Sequence, residues 1–237
     1  MTFTRNPGRF AGLLYVLMSI PGFFAMVYVP SKLIVHGDAT ETANNLAAHE
    51  SLFRAGIAGQ LISQAGLIFV VLALYDLLKE VNRRYASLMV TLVVVSIPIA
   101  FLNELNSIAA LVLVRGADFL SIFEKPQREA LALLFLNLRF QGLVINEMFF
   151  GLWLVPLALL VYESRFLPRF LGVWLAIDGL AWVILSLTGL LLPQYYDRVF
   201  AYCQPAAFGE LAFMLWLLIK GAMPSPLDAA ALASAAG

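Results

Sequence analysis

The sequence predicts an all-α, polytopic membrane protein: a bundle of six transmembrane helices with short outer helical segments. Three observations lead there. Hydrophobic residues fill 62% of the 237 positions and charged residues 13%, whereas soluble domains are nearer half apolar and a quarter charged. Apolar runs near the length of roughly 20 residues that a hydrocarbon core about 30 Å thick requires recur six times, with charge at their flanks. Finally, the runs are continuous and do not alternate in short segments as barrel strands would.

The first run, Phe10–Pro30, contains Pro21-Gly22, which predicts a kink. It lacks a small-residue cleavage pattern and is long enough to span, so no cleavable signal is expected. The stretch Gly37-Asp38-Ala39-Thr40-Glu41 reads as a turn and helix start, with Asp38 or Thr40 as cap. That helix should continue through Asn44–Phe53 into the second span, Leu52–Leu78. The third span, Tyr85–Val114, carries Pro98. After it, Glu124-Lys125-Pro126-Gln127-Arg128-Glu129 starts a helix with proline in its first turn. The helical pattern is then unbroken from Pro126 to Tyr162, about 55 Å at 1.5 Å per residue. Only its later part, Leu143–Tyr162, is needed as the fourth span, so the first third should lie on or project from the outer face. Pro156 should kink it.

The fifth span is Phe170–Leu192 and the sixth Ala206–Ile219, which is short. The sixth can cross if irregular backbone around Pro205 packs at membrane depth or the bilayer thins there. Tight basic connections, Lys79–Arg84 and Glu163–Arg169, predict antiparallel hairpins between spans two and three and between spans four and five. Residues 1–221 therefore read as a single six-helix transmembrane domain, and 222–237, rich in Pro and Ala, as a disordered cytoplasmic tail. No internal repeat is evident, so symmetry does not support an inverted-repeat transporter.

Lys and Arg are expected in excess on the cytoplasmic side. With the N-terminus inside, the inner set is Arg5, Arg9, Lys79, Arg83, Arg84, Arg165, Arg169 and Lys220; the outer set is Lys32, Arg54, Arg115, Lys125, Arg128 and Arg198, with Arg139 near the outer boundary. The excess favours both termini in the cytoplasm. Tyr195, Tyr196 and Tyr202 fall where an outer interfacial belt would be.

Several chemistries are excluded or demoted. Fifteen basic and fifteen acidic residues cancel, which leaves no basic field for nucleic acid. The single cysteine, Cys203, excludes an intramolecular disulfide and cysteine-rich metal sites. No lysine lies inside a span, which rules out a retinal-type Schiff base. Both histidines, His36 and His49, lie in the first outer segment, away from any membrane haem or serine–histidine pair. With Asp38 and Glu50 they match no strong metal template. Neither a cofactor nor a metal site is expected, and there is no HExxH, P-loop or GxSxG. Asp178 is the one aspartate deep in a span, which disfavours a paired-aspartate protease.

Ionisable groups inside a bilayer are costly and usually face a bundle interior or water, so they carry most of the functional signal. Counted from the inner flank at about 1.5 Å per residue, Asp178 and Glu210 lie roughly 14 Å up, Glu147 roughly 24 Å and Glu104 roughly 30 Å, less any tilt. This gives a deep acidic tier, Asp178 with Glu210, and an outer tier, Glu104 with Glu147. Amides gather with the outer tier. Gln60 and Gln64 are four apart on the second span; Ser96, Ala100, Asn103 and Ser107 form one stripe on the third beside Glu104. On the fourth, Arg139, Gly142 and Asn146 share a face that Glu147 adjoins. Convergence of these stripes would make an outward-facing polar cavity lined by Glu104, Glu147, Arg139, Asn103, Asn146, Gln60 and Gln64. Amides and small residues in spans commonly only join helices, worth about 0.6 to 2 kcal/mol each. Four acids with a single nearby base are different, because some must be protonated, hydrated or bound to a cation.

The phrases LIVHGDATETANNLAAHESLFRAGI at 33–57, SIPIAFLNELN at 96–106, FFGLWLVPLALLVYESRFLPRFLG at 149–172 and GELAFMLWLLIKG at 209–221 resemble a bacterial integral-membrane family catalogued as a domain of unknown function. The resemblance runs from Arg9 to Gly221 and implies six helices in a bacterial plasma (inner) membrane, with no activity attached. The family pattern has Pro at the position of His36 and a polar residue other than His at that of His49, which implies that a histidine-centred site would be peculiar to this member. Glu104, Glu147 and Glu210 lie in or beside the shared phrases and Asp178 does not.

The sequence thus points first to binding or translocation of a cation, protons or a small polar molecule. The alternatives are an intramembrane hydrolase using Glu104 or Glu147 as general base or metal ligand, and a sensor or scaffold without catalysis. The catalytic residues of such a hydrolase are otherwise unknown. The expected partners are the lipid bilayer and a small polar or cationic ligand, with no nucleic acid; a homo-oligomer is compatible with the sequence.

Overall fold

The computed structural model describes residues 6–223. Arg5 of the basic inner set, and the expected tail from residue 224 onward, lie outside the described residues. Within them the fold is all-helical, and six helices are long and apolar enough to cross a membrane. The elements are α1 (Pro7–Phe23), α2 (Val29–Leu33), α3 (Ala39–Ala48), α4 (Glu50–Leu78), α5 (Arg83–Arg115), α6 (Lys125–Glu163), α7 (Arg169–Leu191) and α8 (Tyr196–Ile219).

Local chemistry explains the interruptions. Proline at position 21 removes a backbone donor, and just beyond it Phe24–Tyr28 widens into a π-helical turn that joins α1 to α2, with Phe24 stacked on Tyr28. The first span therefore extends to Leu33, beyond the expected end at Pro30. Asp38 caps α3, its carboxylate accepting the Glu41 N–H at 2.8 Å. The helix expected to run on into the second span is broken at His49, whose backbone leaves the helical region (φ −124°, ψ 39°) while its ring meets the Asn45 carbonyl at 3.2 Å. α6 is continuous for 39 residues, through Pro156.

The sixth span departs most from expectation. α8 begins at Tyr196 and passes through Pro205 as helix, so of the two ways considered for a short sixth run to cross, irregular backbone around Pro205 is not used. Asp197, Arg198 and Gln204 interrupt the apolar pattern and hide the helix, but one proline costs it a single backbone donor.

Contacts group the chain into two compact units. The unit made of Met18–Ala65 and Ile97–Leu143 has a core in which Leu33 and Leu46 pack with Phe53, Ala110, Ala132 and Leu136. Small residues set the helix approach here: a Cβ on Gly56 would come within 3.0 Å of Val29, and one on Gly59 within 3.1 Å of the Pro21 carbonyl.

The other unit comprises the described residues of Met1–Leu17, Gly66–Ser96 and Val144–Gly237. Its interior holds Leu74, Leu78, Met89, Leu154, Leu157 and Leu171, all essentially inaccessible. The two ends of the described segment meet in it. Gly8 N–H donates to the Ala222 carbonyl at 3.0 Å, and Asn6 Oδ1 accepts from the N–H groups of both Arg9 and Ala222. Arg9 also donates to the Ile219 carbonyl, so the start of α1 and the end of α8 lie on one side.

Candidate functional site

The candidate site residues in the spans fall into three groups, each inside one unit. In the first, Glu104 of α5 is buried (3% exposed) and Arg139 of α6 is nearly so. Arg139 Nη2 stands 3.0 Å from Glu104 Oε1, and its Nε donates toward both carboxylate oxygens at 3.1 and 3.3 Å. Ser107, one turn on, donates to Glu104 Oε2 at 2.8 Å. Asn103 donates to the Arg139 backbone carbonyl at 2.8 Å and accepts from Asn106. Gly142 makes room for it, since a Cβ there would fall 2.1 Å from Asn103 Oδ1. The arrangement is a compensated ion pair: each charge faces its opposite, and the carboxylate's remaining capacity is taken by a hydroxyl. In the same unit Gln60 and Gln64 are buried on α4, and the Oε1 of each has no hydrogen-bond partner.

The second group links α6, α7 and α8. Glu147 (3% exposed) accepts from the Tyr196 hydroxyl at 2.7 Å through Oε1, while its Oε2 has no partner. Asn146 beside it is buried and its Oδ1 is also unpartnered. Tyr196, a residue of the expected outer aromatic belt, directs its hydroxyl to this acid.

In the third group, fully buried Asp178 of α7 accepts the backbone N–H of Glu210 on α8 at 3.0 Å. Glu210 in turn accepts from the hydroxyl of buried Tyr15 on α1. The approach of α7 to α8 depends on Gly209, where a Cβ would meet Trp174 at 2.8 Å, and Trp174 donates its indole N–H to the Pro205 carbonyl at 3.3 Å. Backbone groups of α8 on both sides of Gly209 are thus engaged by α7.

The structure therefore brings Asn103, Glu104 and Arg139 together, and Asp178 and Glu210 together. Glu147 has its hydrogen bond with Tyr196 in the unit that does not contain Glu104. Elsewhere, Asp38 is occupied as a cap, and Glu50 is paired with Arg54 at 2.7 Å and Arg115 at 3.2 Å. Among the described residues no group of three or more His, Cys, Asp or Glu is placed to hold a metal ion.

A family described as Domain of unknown function (DUF4386) matches residues 10–221, nearly the whole of the three groups' scaffold. The chain belongs to that family. An uncharacterized protein of Archaeoglobus fulgidus is 35% identical over 77 residues, 32% of this chain and 44% of that protein. The similarity thus spans less than half of the relative's length. No solved structure matches the chain.

In this DUF4386 protein, Tyr15 and Tyr196 are the participants that sequence reasoning missed. A search for buried charge finds acids and bases, and tyrosine in a span reads as packing or an interfacial anchor. The available signal was an imbalance: with Arg139 the only nearby base, the other acids needed neutral donors, and tyrosine hydroxyls supply them.

Proposed function

We propose that the protein binds or carries protons, another small cation or a small polar molecule within the membrane, with Asp178 and Glu210 as its proton-holding pair. One observation carries this reading: the Asp178 carboxyl accepts the backbone N–H of Glu210, whose own carboxyl accepts from the Tyr15 hydroxyl, and among the described residues neither carboxyl forms an ion pair. In a low-dielectric interior, neighbouring carboxylates without a counter-charge resist ionising together, so the pair retains a proton it can exchange. Glu104 is a weaker candidate for a base or relay, because Arg139 and Ser107 already occupy it.

The proposed setting is a bacterial plasma membrane with both termini cytoplasmic. The joined ends of α1 and α8 agree with an even number of crossings, and the excess of Lys and Arg favours that side. Lys79, in the turn after α4, donates to Asp76 at 2.7 Å. That hydrogen bond raises its pKa, so it remains a positive charge at neutral pH.

Reconstitution tests the function. Proteoliposomes carrying an internal pH-sensitive dye should show protein-dependent proton movement under an imposed gradient. Glu210→Gln should abolish it with the thermal unfolding midpoint nearly unchanged, because the amide keeps an acceptor for Tyr15 but cannot release a proton. Full activity in Glu210→Gln would reduce the acids to helix-joining elements. Loss of folding in that variant would mean that Glu210 is ionised and paired, which contradicts the proposal.

A further inference from the structure

We propose a second binding site, for a small monovalent cation held by oxygen donors, between α6, α7 and α8 around Glu147, Ser186 and Tyr196. It rests on different side chains from the Asp178–Glu210 pair and does not depend on that reading.

The placement follows from the register of α6 against α7. Glycines mark where the two backbones touch: a Cβ on Gly189 would meet Val144 at 2.5 Å, one on Gly151 the Gly179 carbonyl at 2.4 Å, and one on Gly172 the Ala158 carbonyl at 2.8 Å. Higher numbers on α6 pair with lower numbers on α7, so the helices are antiparallel. The α6 side of this seam runs through Val144, Gly151, Leu154 and Ala158, at the three-to-four-residue spacing of one helix face. Glu147 fills the step between Val144 and Gly151, and on α7 the same level, one turn before Gly189, is Ser186.

At that level the structure leaves acceptors without donors. Ser186 is wholly inaccessible and its Oγ has no hydrogen-bond partner; Glu147 Oε2 and the adjacent Asn146 Oδ1 are likewise buried and unpartnered. Tyr196 closes one end, its ring against Gly189 and its hydroxyl on Glu147 Oε1 at 2.7 Å. A buried carboxylate oxygen with no donor is strongly disfavoured unless a positive charge or a proton meets it. The donors are all oxygen and include one carboxylate, which suits a hard cation of single charge over a transition metal. A bare alkali ion and a protonated primary amine share this chemistry.

The test is thermal unfolding of the purified full chain in detergent, in mildly alkaline buffer at constant ionic strength. NaCl, KCl or methylammonium chloride is titrated against N-methylglucamine chloride, whose bulky cation serves as control. A ligand that binds only the folded state raises the midpoint saturably. The expected result is such a rise with at least one small cation, absent in Glu147→Gln and retained in Glu210→Gln. A response to methylammonium alone assigns a protonated amine, and one to Na+ or K+ assigns an alkali ion. Ser186→Ala removes an oxygen that makes no internal hydrogen bond, so it should fold normally and raise the half-saturating concentration about tenfold, the effect of losing about 1.4 kcal/mol. Identical midpoints in every salt for the unsubstituted protein would overturn the proposal. So would a shift that survives unchanged in both Glu147→Gln and Ser186→Ala.

Discussion

Arg139 reaches Glu104 with two nitrogens, Nη2 at 3.0 Å and Nε at 3.1 Å from the same oxygen, with the Glu104 side chain buried and that of Arg139 17% exposed. Removing one member of such a buried pair strands the other charge. Arg139→Leu should therefore destabilise the folded protein by about 3–5 kcal/mol. The double variant Arg139→Leu with Glu104→Leu should recover much of that loss, since an apolar replacement strands nothing. Detergent-solubilised unfolding midpoints of the four combinations form the cycle, and equal losses in single and double variants would show that the two groups act independently.

Two glycines on α6 should respond differently to the same added methyl group. At Gly142 the obstacle is the end of a side chain, Asn103, which can turn aside at the expense of its bond to the Arg139 carbonyl. At Gly151 the obstacle is the Gly179 backbone carbonyl, 2.4 Å from the ideal Cβ position, and α7 itself must move. Overpacking of this kind costs about 1–3 kcal/mol. Gly151→Ala should fall at the upper end of that range or fail to fold, and Gly142→Ala at the lower end. Midpoints in the reverse order would contradict this assignment.

Orientation is tested with introduced cysteines in a Cys203→Ser background. Ser121 and Glu80 are exposed on the connections following α5 and α4, which the proposed topology puts on opposite sides of the membrane. Ser164 is unsuitable as the inner probe because it is fully buried, its hydroxyl bonded to the Val161 carbonyl. A membrane-impermeant maleimide should label Ser121→Cys in intact cells, and Glu80→Cys only after lysis. The opposite pattern would invert the orientation.

Much of this was legible in the sequence because a bilayer allows few solutions. Backbone groups in hydrocarbon must bond internally, so each long apolar run has to be a helix. The 39 residues of α6 and the Asp38 cap could be read from pattern and capping chemistry alone. The start of α8 could not, because Asp197, Arg198, Gln204 and Pro205 each signal an ending when taken singly. Tertiary packing of Tyr196 against Gly189 holds that segment helical, and no one-dimensional pattern contains that contact. The same holds for the polar groups. Depth counting placed Asp178 and Glu210 at similar heights, but their actual link, a side chain on one helix accepting a backbone N–H of the other, needs the close approach that Gly209 permits. Arg139 and Glu104 were recognisable as site candidates because each carries charge within a span; Tyr15 and Tyr196 carry no charge to count.

The hydrogen bond from Tyr15 to Glu210 joins α1 to α8 in the middle of a unit whose ends are already tied by Asn6 and Ala222. Tyr15→Phe deletes the donor without changing the packed ring, and leaves a carboxyl oxygen short of a partner. The expected loss is about 1–3 kcal/mol, the penalty of an unsatisfied buried acceptor. In a Glu210→Leu background the acceptor is absent, so the same tyrosine substitution should cost much less, giving a coupling energy on the order of 1 kcal/mol or more. Function should divide differently from stability. Tyr15→Phe leaves both carboxyl groups in place, so proton movement in proteoliposomes should persist at an altered rate, whereas Glu210→Gln should stop it. Complete loss of flux in a well-folded Tyr15→Phe variant would move the phenolic hydroxyl from supporting the pair to carrying the proton itself. A coupling energy near zero would instead remove the tyrosine from the account of both stability and function.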